Sequence, residues 1–116
     1  MPTHNRLDLI EFPAADPDAL ARARSFYEQA FGWTFTDYGA YVDTTDSGTA
    51  AGINGVPGDT QQKMPLTVIY ADDLEAARDA VSASGGTVLH DIYPFPGGHR
   101  FHFTDPAGNE LAVWSE

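Results

Sequence analysis

None of the chain's 116 residues is cysteine. That excludes disulfide scaffolds, thiolate zinc sites, iron–sulfur clusters and cysteine nucleophiles together, and it leaves any chemistry to histidine, carboxylate, hydroxyl and backbone groups. Basic residues are also scarce: 6 Lys and Arg stand against 17 Asp and Glu, for a formal net charge of -11. A surface of that sign repels phosphate backbones and anionic lipid, so neither nucleic acid nor a membrane surface is an expected partner. No apolar run approaches the ~18 residues that would span a bilayer, and the opening "MPTHNRLDLIEF" has no apolar stretch of signal-peptide length. A cytoplasmic protein is the expectation. Phosphate loops and nucleophile-base motifs are missing too, since "PGDT" and "PFPGG" hold glycine outside the strand-to-helix setting that phosphate binding requires.

What is present is an ordinary globular composition, 42% apolar, at a length that suits one domain. Residues 7–13 form an apolar-rich run that stops at proline and read as a strand. Asp16 then offers an N-cap and Pro17 the first helical position. Leu20, Ala23, Tyr27 and Ala30 recur at helical spacing, and Gly32 supplies the stop. Three short runs rich in Thr, Tyr, Phe and Val follow, "WTFTDY", "AYVDTT" and "TAAGIN", and predict a three-stranded meander. The second half repeats the unit. "PLTVIYA" is a strand, Asp72 or Asp73 caps a helix with Leu74, Ala77 and Val81 on one face, and Gly85-Gly86 ends it. "TVLHDIY", "HRFHFT" and "NELAVW" give three more strands, the last two joined by the turn "DPAG". The helices align 54 positions apart (74 − 20 and 86 − 32), so the expectation is α+β, two tandem βαβββ modules at 7–54 and 65–115 with a linker at 55–64.

Two βαβββ modules, with "FYEQAFGW" closing the first helix and "FTDPAGNELAVW" closing the chain, resemble the vicinal oxygen chelate superfamily. This is the family of glyoxalase I, bleomycin-resistance proteins, fosfomycin-resistance enzymes and extradiol dioxygenases. The resemblance implies that the two curved mixed sheets enclose a cleft, and that metalloenzyme members hold one divalent ion there with His, Glu or Gln from the first and last strands of each module. Carried onto this sequence, those positions fall on Leu9, Gly52, Leu66 and Ala112. None of these side chains can coordinate a metal. No cofactor is therefore expected. An unaligned set, Glu11, His99 and Glu110, is the fallback for a divalent metal.

A cleft centre lined by Leu9, Leu66 and Ala112 suits an organic ligand better than an ion. The expected lining comprises Leu9, Glu11, Gly52, Leu66, Val68, Tyr93, His99, Phe101, Glu110, Ala112 and Trp114. Alternation along "HRFHFT" places His99 and His102 on opposite faces and Arg100 with His102. The segment "YPFPGGHRF" reads either as an adjustable lip over the cleft or as a plain hairpin with a Pro-Gly turn. The leading expectation is a metal-free small-molecule-binding protein of the bleomycin-resistance type. A glyoxalase-like lyase, isomerase or dioxygenase using the fallback ligands is the alternative, and a non-catalytic interaction module with a vestigial cleft is a further one. A homodimer is expected from the family habit and from sheet edges that a partner would cover.

Overall fold

The computed structural model describes residues 2–57 and 64–116, so most of the expected linker, residues 58–63, lies outside the described residues. The elements run β1 (Arg6–Pro13), α1 (Pro17–Phe31), β2 (Thr36–Asp37), β3 (Tyr41–Thr44), β4 (Ala51–Asn54), β5 (Leu66–Tyr70), α2 (Leu74–Ala83), β6 (Thr87–Phe95), β7 (Gly98–Thr104) and β8 (Glu110–Ser115). This is an α+β chain with the βαβββ order stated twice. It divides into two compact units: Leu9–Leu66, and Thr67–Glu116 together with the residues up to Asp8. The N-terminal end of β1 thus groups with the second module.

In the first unit, Asp16 accepts a 2.8 Å hydrogen bond from the Ala19 amide, and Pro17 opens α1 where no backbone donor is required. Gly32, at a φ of 73°, closes it by donating its amide to the carbonyls of Tyr27 and Glu28. Strands β2, β3 and β4 form the expected antiparallel meander, and β4 runs parallel to β1 with Phe12 beside Ile53. Phe12, Val42 and Ile53 face Leu20, Ala23 and Tyr27 of the helix and make this unit's core. The first meander strand is shorter than the run 33–38 suggests, because its leading residues are engaged elsewhere. Trp33 stacks on Tyr27 at 4.9 Å, and the Thr34 amide and hydroxyl both donate to the Asp46 carboxylate, at 2.6 and 2.7 Å.

In the second unit the strand order is β5-β8-β7-β6, with β5 and β8 parallel and the other neighbours antiparallel. Of the two available caps, Asp73 serves α2 by accepting from the Ala76 amide, whereas the Asp72 amide donates to His4 Nδ1. Leu74, Ala77 and Val81 of α2 pack on Phe101, Phe103 and Val113 of the sheet. The β7–β8 turn is held by Asp105, which accepts from the amides of Ala107 and Asn109 and from the Asn109 side chain. Strand β6 continues to Phe95, which pairs with Gly98 at the start of β7, so only Pro96 and Gly97 lie between them. Of the two readings of this segment, the plain hairpin is the one observed.

Gly52, an expected ligand position, lies beneath a neighbour: a Cβ there would overlap the hydroxyl of Tyr41. Gly52→Ala is expected to destabilise the fold by about 1–3 kcal/mol in urea unfolding, and most of that cost should vanish in a Tyr41→Ala background. Asp16→Ala should cost about 1 kcal/mol through loss of the helix cap.

Candidate functional site

Alternation along a strand sends neighbouring residues to opposite faces, and the second unit uses its two faces differently. Phe101, Phe103 and Val113 point to α2. The residues between them point away, and the strand registers arrange these into two rows. One row runs Val68, Ala112, His102, His90; the next runs Tyr70, Trp114, Arg100, Tyr93. Apolar and aromatic groups occupy the β5–β8 side. Trp114 packs edge-on to Tyr70 at 5.0 Å and to Phe95 at 6.1 Å, and its indole N–H donates to Asp8 at 3.0 Å.

The β7–β6 side is polar and linked by hydrogen bonds. Glu110 Oε2 lies 3.0 Å from His102 Nδ1, His102 Nε2 lies 2.9 Å from the Tyr93 hydroxyl, and Arg100 Nε donates to that hydroxyl at 2.6 Å. The Arg100 guanidinium also stands 5.7 Å from the ring centres of both Tyr93 and Phe95. Both Arg100 and His102 are buried, at 5% and 6% exposure. Two register shifts in β6, one on each side of His90, let His90 and Tyr93 both reach His102 although they are three residues apart.

Of the residues expected at a site, Val68, Tyr93, Glu110, Ala112 and Trp114 share this face. Phe101 does not: it is fully buried in the core against α2. His99 has the parity of Phe101 and lines a shallow groove with Asp73, Glu75 and Ile92 at the start of α2. His99 and Glu110 consequently point to opposite sides of one sheet, which breaks the fallback metal set Glu11, His99 and Glu110. Glu11 is buried in the first unit and accepts a 3.3 Å hydrogen bond from Asn54. Leu66 is buried on the same face of β5 as Val68, and Leu9 shares a face of β1 with Glu11. His90, Arg100 and His102 were absent from the expected lining. The signal for two of them was available, since Arg100 and His102 have the parity that faces Ala112 and Trp114.

The family's metalloenzymes need several oxygen or nitrogen donors on one ion. Here Ala112, at an expected ligand position, faces Val68 and His102 across the ladder, while His102 and Glu110 bond to each other. Among the described residues, no group of three or more His, Cys, Asp or Glu side chains is placed to hold a metal. These donors do not fit the divalent ion of the family.

The sequence model of the Glyoxalase/Bleomycin resistance protein/Dioxygenase superfamily matches residues 6–113. The chain belongs to this superfamily. Its relatives include the anthracycline biosynthesis protein DnrV of Streptomyces peucetius, 36% identical over 124 residues, in a match covering 89% of this chain and 45% of DnrV. CFP32 of Mycobacterium tuberculosis (strain CDC 1551 / Oshkosh), which is named as a glyoxylase, is 33% identical over 103 residues, with coverage of 79% and 40%. The chain thus spans less than half the length of either. Among solved structures, a superfamily member from Vibrio splendidus 12B01 superposes with a TM-score of 0.65 at 14% identity, covering 97% of this chain and 99% of that one. That likeness shows the fold.

Burial holds the His102 pKa below its ordinary 6.5; the Glu110 hydrogen bond opposes the shift, and the nearby Arg100 charge adds to it. A histidine whose folded pKa is depressed takes up its proton more readily when unfolded, so its contribution disfavours folding as pH falls below about 6.5. Stability measured by urea unfolding should therefore decline from pH 7 toward pH 5. In His102→Gln this component should be missing, although the variant is less stable at pH 7. Parallel pH profiles for the two proteins would contradict a buried, neutral His102.

Proposed function

We propose that the chain is a metal-independent binding protein for a planar aromatic molecule, held on the face of the second module's sheet that points away from α2. The reading is carried by one observation: an aromatic wall of Tyr70, Trp114 and Phe95 borders a hydrogen-bonded run of Arg100, Tyr93, His102 and Glu110. Flat rings supply contact area to a flat ligand, and a few placed polar groups orient it. Burying Arg100 and His102, with Tyr93 and Glu110 half-buried beside them, contributes little net stability against an apolar core of the same shape, so recognition is the better account of their presence. The relation to DnrV supports the same ligand class, since its name ties it to anthracycline biosynthesis and anthracyclines are planar and polycyclic. The donor set described above supports binding without a metal.

The test uses 2-naphthol as a neutral planar probe on chain dialysed against EDTA. Saturable binding is expected, with stabilisation of about 2.7 kcal/mol at a hundredfold excess over Kd. Trp114→Ala should weaken it at least tenfold, whereas Trp33→Phe, in the other module, should leave it unchanged. The reading falls if Zn, Ni, Mn or Fe remains at one ion per chain after desalting and probe binding depends on it.

A further inference from the structure

Tryptophan and tyrosine each carry a single polar hydrogen, and on the aromatic wall of the second module Trp114 and Tyr70 both direct theirs at carboxylates. The Trp114 indole N–H donates to Asp8 Oδ2 at 3.0 Å. A carboxylate only accepts, so the Tyr70 hydroxyl donates to Glu116 Oε1, at 3.3 Å. What this end of the wall offers a ligand is therefore ring faces, whose quadrupole is negative, and carboxylate oxygens. Asp8 is half-buried, and the indole takes one of the roughly four acceptor positions on its two oxygens.

The charges on the two sides of Trp114 have opposite sign. Arg100, its cross-strand partner on β7, stands over the rings of Tyr93 and Phe95, whereas Asp8 and Glu116 bond to Trp114 and Tyr70. Burial raises the Tyr70 pKa above its ordinary 10.0, and the charges of Glu116, Asp72 and Asp8 raise it further. The surroundings of that phenol thus disfavour a negative charge and favour a positive one.

From this we propose that the planar ligand of this face is a cation, an aromatic ring system bearing a protonated amine, with its ring against Trp114 and its ammonium on Asp8. The proposal rests on the ligand-binding reading above and names its ligand class. At Asp8 an ammonium makes a charge-assisted hydrogen bond, stronger than the one a hydroxyl of the same size makes. A carboxylate on the ligand would set like charge against Asp8 and Glu116. The net charge of -11 draws cations to the whole chain, but that attraction is screened by salt, and a contact with a half-buried carboxylate is screened much less.

The experiment titrates the full chain calorimetrically, at pH 7.5 and physiological ionic strength, with three probes built on one ring system: 2-naphthylmethylammonium, 2-naphthylmethanol and 2-naphthoate. The ammonium is expected to bind about tenfold tighter than the alcohol, the difference between a charge-assisted and a neutral hydrogen bond, with the naphthoate weakest. Asp8→Asn keeps an oxygen for the indole and removes the charge, so the ammonium should fall to the affinity of the alcohol while the alcohol is unchanged. Asp18→Asn, which removes the same charge from the exposed first turn of α1, should leave the preference as it was. A preference that falls equally in both variants belongs to the net charge and overturns the proposal. Equal affinities for ammonium and alcohol in the unmutated chain, or tighter binding of the naphthoate, overturn it as well, and each of these outcomes leaves the ligand-binding reading intact. If none of the three probes binds, that reading falls and the proposal falls with it.

Discussion

The two-residue period of the β7–β8 ladder is the constraint on which the second module depends. Phe101, Phe103 and Val113 must face α2, because that contact is the module's apolar core. Once they do, Arg100, His102, Ala112 and Trp114 have no choice of side. A slip of one residue would bury Arg100 and His102 under the helix and turn two phenylalanines outward, so the packing energy of the core and the composition of the polar face are fixed by the same register. The hairpin of Pro96 and Gly97 and the Asp105-centred turn hold that register at the two ends of β7.

The polar face is tolerable in a small domain only because its groups are hydrogen-bonded. Glu110, His102, Tyr93 and Arg100 are linked in series by hydrogen bonds, and among the described residues no buried side-chain nitrogen or oxygen lacks a partner. The guanidinium is further shielded by two aromatic rings. Such a network is rigid in a specific sense: flipping the imidazole would put ring carbons where Nδ1 and Nε2 now meet Glu110 and Tyr93, and both hydrogen bonds would be lost.

Much of this architecture is legible in the sequence because it rests on local signals. Asp16-Pro17, Gly32, Asp73 and the "DPAG" turn each place an element boundary through backbone chemistry that needs no knowledge of distant residues. The strand lengths were less legible. Trp33 and Thr34 look like strand residues, yet one stacks on α1 and the other is bonded to Asp46, and neither partner is adjacent in sequence. The site is harder still. Parity alone puts Arg100 and His102 beside Ala112 and removes Phe101, but it also separates His90 from Tyr93, which the irregular pairing of β6 brings back to the same imidazole. A bulge is a tertiary accommodation, and the residues on either side of it give no sign of it.

Membership of this superfamily fixes a scaffold on which several chemistries are built, so the distinction between them lies in a few positions on the sheet face. In this chain Ala112 and His102 are direct cross-strand partners. A carboxylate at 112 would bring a metal-ligating oxygen beside the histidine, but a metal would still require one imidazole nitrogen to be given up. Both are engaged, one by Glu110 and the other by Tyr93. Converting such a face to coordination would take more than restoring one ligand, because the hydrogen bonds that orient Tyr93 would have to be dismantled first. Coordination and directional hydrogen bonding therefore compete for the same imidazole.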